Sequence, residues 1–165
     1  MNNIICGWNI ANSIIKKSFE ERIYITPLKL NCLVYLLYSN YLFKTGEKLF
    51  NEPFIKNKNG PIVPTIDYKF SCFENNIITK YAKDACGKII FINFNCLEKI
   101  LLDIWNSYKN MSDIELLTFI NETSSIFKKE NNEIIYDIEI LDDETKRNQV
   151  SLEYAKDIRK KLLSK

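Results

Sequence analysis

Thr26-Pro27 opens a run from Leu28 to Phe43 in which nearly every helical face is apolar. The Thr26 side-chain oxygen can accept from the free amides of the next turn, and Pro27 fits the first helical position, where its missing N–H costs nothing. Leu28, Leu30, Leu33, Val34, Leu36, Leu37, Tyr41 and Leu42 then leave no solvent face. A helix apolar all round has to be enclosed by other elements, so this run is expected to be the central helix of the core. Asn31, Ser39, Asn40 and the tyrosines interrupt it too often for a bilayer span, which needs about 20 consecutive apolar residues. Gly46 supplies a left-handed stop.

The chain has 165 residues, enough for one domain that buries roughly 70% of its unfolded surface. Residues 1–165 are read as a single domain, since no linker, repeat or low-complexity segment divides them. The 23 basic and 21 acidic residues leave a net charge of +2, which argues against a nucleic-acid binder of the usual strongly basic kind. Glu130, Glu133, Asp137, Glu139, Asp142, Asp143 and Glu144 form an acidic stretch before a tail with Lys156, Arg159, Lys160, Lys161 and Lys165. This pattern reads as a solvated strand edge and a surface helix, with a charged docking surface as the alternative.

The absence of histidine removes the usual general base near neutral pH, the Ser-His-Asp and Cys-His arrangements, and the commonest metal ligand. The carboxylate clusters Glu20-Glu21 and Asp142-Asp143-Glu144 remain, but neighbours on a helix diverge by about 100° and do not converge on one centre by spacing alone. No glycine-rich phosphate loop occurs among the four glycines. Cys6, Cys32, Cys72, Cys86 and Cys96 are an odd number with no C-x-x-C pair, so most are expected as small buried hydrophobes in a reducing cytoplasm. No catalytic residue, metal or cofactor is expected, and the amino terminus carries no signal-peptide pattern.

Elsewhere, Ile10, Ala11, Ile14 and Ile15 mark an amphipathic helix between Ile4 and Phe19, and Pro64 starts a short helix through Tyr68 and Phe70. Ile77–Tyr81 and Lys88–Ile92 flank Asp84-Ala85-Cys86-Gly87 as a β-hairpin would. Asn95 with Glu98 reads as a helix start before the stripe Leu97, Ile100, Leu101, Ile104, Trp105 and Tyr108. Ser112-Asp113-Ile114-Glu115 is a strict capping box. Ile134, Tyr136, Ile138 and Ile140 alternate like a strand, and a last helix is expected from Gln149 to Leu163. The fold class is therefore α+β, mainly α: a single helical domain with a small antiparallel sheet or hairpin.

Leu28-Lys29-Leu30, Leu33, Tyr35, Tyr38, Tyr41 and Leu42, then Leu49-Phe50 with Glu52, then Gly60-Pro61, Val63 and Pro64, resemble the pattern of the Panacea antitoxin domain, which includes SocA-like antitoxins and phage-associated proteins. Trp105, Tyr108, Ser112, Glu115, Leu116 and Thr118 resemble a second segment of that family, so the likeness spans about residues 8–128, with 129–165 as a strand and helix extension. Phe119 stands where the family has histidine, Ser125-Ile126-Phe127 where it has S-P-W, and Asn57 where it has tryptophan.

The resemblance implies a cytoplasmic, non-enzymatic protein-binding module that neutralises a cognate toxin by contact, or as an adaptor presenting it to a host protease. A phage-encoded inhibitor of a host defence or regulatory complex is the alternative, and a nucleic-acid-binding regulator the second. Tyrosine joins a large rigid apolar area to a hydroxyl, so Tyr35, Tyr38 and Tyr41 could form an interface as well as a core. The expected partner contacts are Lys29, Tyr35, Tyr38, Tyr41, Phe50, Glu52 and Phe54, with Thr26, Pro27, Gly60, Pro61, Pro64 and Trp105 as structural motif residues. Lys29 and Glu52 are expected to pair.

Overall fold

The computed structural model describes residues 5–149. Helix α1 (Gly7–Glu21) is followed by α2 (Pro27–Thr45), strands β1 (Phe54–Asn57) and β2 (Gly60–Ile62), and α3 (Pro64–Phe70). After an irregular segment come α4 (Asn95–Tyr108), α5 (Asp113–Thr123), β3 (Ile134–Ile135) and a sixth helix, α6, which runs from 137 to 149 within the described residues. The class is α+β, mainly α, as the sequence suggested.

The start and stop signals explain α2. The Thr26 hydroxyl oxygen accepts from the Lys29 N–H at 3.2 Å, Pro27 takes the first position, and Gly46 closes the helix at φ 72° with its N–H on the Leu42 carbonyl at 2.8 Å. Helices α1, α3, α4 and α5 and strand β2 all pack on α2, which buries residues on every face. Ser112 and Glu115 make the expected capping box at α5. Asn95 does not cap α4, because Phe94 holds the extended cap position and Asn95 is already helical.

The sheet is small and antiparallel, in the order β2-β1-β3, with Ile55 opposite both Ile62 and Ile134. Proline at Pro61 is tolerated because β2 is an edge strand. β3 stops after two residues, and the alternating run Ile134, Tyr136, Ile138, Ile140 turns helical at 137 instead of continuing as a strand. Its acidic residues decide this. Glu139 accepts the Tyr136 N–H at 2.9 Å, a carboxylate at a helix start where the free amides and dipole favour it. The expected helix from Gln149 to Leu163 lies, apart from Gln149, outside the described residues.

The hairpin expected around Asp84–Gly87 forms only at its turn. Asp84 N–H donates to the Lys88 carbonyl at 2.9 Å, and Gly87 adopts φ 79°. Beyond the turn the two arms do not pair, because side chains of α1 take their backbone groups. The buried Asn12 amide donates to the Ala82 carbonyl at 2.9 Å and the Ile90 carbonyl at 3.2 Å and accepts the Ala82 N–H at 2.9 Å. Ser13 Oγ donates to the Ile92 carbonyl at 3.1 Å and accepts the Ile92 N–H at 3.0 Å. Two polar side chains thus occupy the place of a strand ladder.

Gly60 carries the Gly-Pro turn at φ 98°, and a Cβ built there would stand 2.6 Å from Leu117 Cδ1 of α5. Gly60→Ala combines a strained left-handed backbone with displacement of the tip of the half-buried Leu117 side chain. It should lower unfolding free energy by on the order of 3 kcal/mol in urea titration.

Candidate functional site

The tyrosines expected at an interface lie inside. Tyr35 and Tyr38 are buried, and their rings pack on Phe54 at 5.3 and 5.1 Å between centroids. Phe50 joins them, 4.9 Å from Tyr38 and 5.7 Å from Phe54. Tyr41 is also buried, with its ring 6.1 Å from Phe94. Tyr35, Tyr38, Tyr41, Phe50 and Phe54 therefore belong to the core, and the expectation that they meet a partner is corrected: α2 is covered by too many elements to present them. Trp105 is buried in α4 in the same core.

Lys29 and Glu52 do not pair. The buried Lys29 ammonium donates to the Lys109 and Met111 carbonyls at 2.7 and 2.5 Å, where α4 ends and leaves carbonyls that favour a cation. Burial pulls its pKa below the ordinary value, while Asp113 and Glu115 oppose that pull. Glu52 instead accepts from the Gly7 N–H at the start of α1 and from the Thr65 hydroxyl at the start of α3. Pro64 opens α3 at its first position. The matched motif is thus a clasp holding helix starts together.

The acidic stretch is not a solvated edge at its centre. Asp143 is 0% exposed, and its carboxylate accepts from Tyr35 Oη at 2.9 Å, from the Ser124 hydroxyl, and from the Ser125 N–H at 2.9 Å. The buried Glu144 accepts from Ser39 Oγ at 2.8 Å and from Arg147 Nη2 at 2.8 Å, and Arg147 lies over the Tyr35 ring at 5.6 Å. The sequence held a faint signal for this junction, namely Ser39 and Asn40 inside an otherwise apolar helix. A cleft of about 300 Å³ opens beside it, lined by residues including Tyr108, Phe119 and Arg147. Asp143 and Glu144 face different partners, so the pair forms no shared acid–base centre. Among the described residues no three His, Cys, Asp or Glu side chains gather to hold a metal ion. Cys32 is buried as expected, whereas Cys72, Cys86 and Cys96 are exposed, contrary to expectation.

The surface has its own pattern, between α1 and the arms at 76–94. Phe19 lies 6.3 Å from Tyr24 and 5.0 Å from Tyr81, and Tyr81 lies 5.0 Å from Phe91, so four rings form a continuous ladder. Tyr24 at 51% exposure, Ile77 at 48%, Ile89 at 40% and Phe91 at 39% keep this strip open to solvent. The Ile78 N–H donates to the Ile25 carbonyl at 2.9 Å and ties the first arm to the segment before α2. Lys16 covers Phe91 from 5.5 Å and shares Glu20 with Lys17. A second run, Ile134, Tyr136 and Ile138, is broken by Asp137 and Glu139, which pair with Lys48 and Lys129. The aromatic ladder is the more continuous apolar surface and the candidate site. Sequence reading marked Phe91 and Tyr81 only as hairpin residues.

No family model, curated protein or solved structure matches the chain. Among the described residues no helix is long and apolar enough to cross a membrane.

Burial sets the response to alkali. It pushes the Cys32 thiol from 9.0 up to about 12, and raises the Tyr35 and Tyr38 hydroxyls above their ordinary 10.0. Folded pKa values above unfolded ones give stability that is complete below pH 9 and lost as pH rises, first through the thiol and then, past pH 10, through the tyrosines. Lys29, lowered by burial, runs the other way but is a single group. Each raised group contributes a slope of up to about 1.4 kcal/mol per pH unit, so Cys32→Ala should flatten the decline between pH 9 and 10 in urea titrations. Asp143→Asn would set an amide donor against the donors around it. Its expected cost is about 2 kcal/mol, above that of Tyr35→Phe, measured the same way.

Proposed function

We propose that this chain is a cytoplasmic, antitoxin-like binding module that neutralises a cognate toxin by stoichiometric contact and performs no catalysis. The observation that carries the reading is the ladder of Phe19, Tyr24, Tyr81 and Phe91, in which the half-buried Phe19 and Tyr81 join the exposed rings of Tyr24 and Phe91 into one aromatic strip. Exposed contiguous apolar surface with a polar rim is what protein partners cover, and aromatic side chains supply much of the energy at such contacts. The resemblance of residues 8–128 to the Panacea domain supports the choice of a toxin as the partner. The motif residues then act as scaffold, and specificity resides on a different face.

Co-expression with the product of each adjacent gene tests the proposal. Rescue of growth together with a complex of defined stoichiometry is the expected result. Toxin loss that disappears in a protease-deficient host would assign the adaptor role. If no adjacent product is neutralised and a host complex co-purifies instead, the inhibitor reading replaces this one. Tyr81→Ala with Phe91→Ala should weaken the complex by at least tenfold, as measured by titration calorimetry, while the central helix stays folded.

A further inference from the structure

Residues 88–93 carry a free backbone edge beside the aromatic ladder. The Ile90 carbonyl and both backbone groups of Ile92 point at Asn12 and Ser13 of α1. Contacts at every second residue mean extended backbone, and in extended backbone the intervening residues point their N–H and C=O groups the opposite way. Those residues are Ile89, Phe91 and Asn93. Among the described residues none of their N–H or C=O groups has a hydrogen-bond partner, and all three residues are exposed. The hairpin turn prevents the other arm from serving, because Asn12 lies between the arms and bonds to both Ala82 and Ile90.

We propose that this edge receives an extended segment of the partner protein as an added β-strand, which deepens the binding-module reading and rests on it. Main-chain bonds to residues 89, 91 and 93 would give affinity, and the Tyr81 and Phe91 rings would give specificity for apolar side chains at alternate positions. Charge narrows the occupant further. Over 76–94 the charged residues are Lys80, Lys83, Lys88 and Asp84, and Asp84 is occupied by the Cys86 and Lys88 N–H groups, both at 2.8 Å. The occupant is a strand alternating apolar and acidic residues.

The probe is a synthetic peptide of alternating valine and glutamate with blocked ends, added to the full chain at millimolar concentration. Amide exchange followed by NMR should slow at least tenfold at Ile89, Phe91 and Asn93 while Ile90 and Ile92 keep their rates. Phe91→Pro removes one outward N–H and should abolish this protection, whereas Phe91→Leu should retain it; equal urea midpoints show that both variants are folded. No slowing, or slowing at another surface, overturns the proposal. A single-stranded oligonucleotide that protects the same residues while the peptide does not also overturns it. Failure of the two readings is distinguishable. A toxin complex that leaves these amides open removes strand addition and keeps the module, whereas peptide binding without any neutralised gene product removes the antitoxin reading and keeps the edge.

Discussion

Enclosure of α2 is the constraint on which the other contacts depend. Because residues 29–39 of this helix are buried without a break, each hydroxyl and amide there needs a partner within the protein. Tyr35 takes Asp143, Tyr38 takes Asp137 at 2.9 Å, Ser39 takes Glu144, and Asn31 accepts the Val63 N–H at 3.2 Å. Those demands bring α6 and its carboxylates inward. They also explain why an acidic stretch that looks like surface contains the most deeply buried carboxylate described.

The sequence carried much of the helical frame. Thr26, Pro27 and Gly46 fixed both ends of α2, and Ser112 with Glu115 fixed the start of α5, because capping depends on neighbours a few residues away. Its failures were non-local. Whether Ile134 to Ile140 continued as a strand depended on Glu139 reaching back to the Tyr136 N–H. Whether Lys88 to Ile92 found a partner strand depended on Asn12 and Ser13, which lie 78 and 79 residues away in sequence from the backbone they hold. The candidate site was less legible still. Exposure of Phe91 and burial of Tyr38 follow from how elements stack, and no local pattern separates an aromatic residue in one setting from the other.

The motif that suggests a family and the surface that suggests a partner are physically separate. Glu52, Gly60 and Pro64 join the starts of α1 and α3 to the sheet and to α5, so substitutions there act through stability. In the ladder Tyr24 and Phe91 are exposed, while Phe19 and Tyr81 pack against the core.

The attachment of the arms by Asn12 and Ser13 has a consequence for how this protein moves. The segment is held to the body by Asn12 and Ser13, by the Ile78 N–H on the Ile25 carbonyl at 2.9 Å and by the buried Ile78 and Ala82, so local opening below the level of global unfolding belongs to its exposed tip at 85–89. Its order also has to wait for α1, since the bonds span a large part of the chain, which makes the arms a late-forming element in folding. Protease susceptibility near the Asp84–Gly87 turn would then track that local opening equilibrium, and a cut there would leave two pieces, one with α1–α3 and one with α4 onward, joined through the shared core.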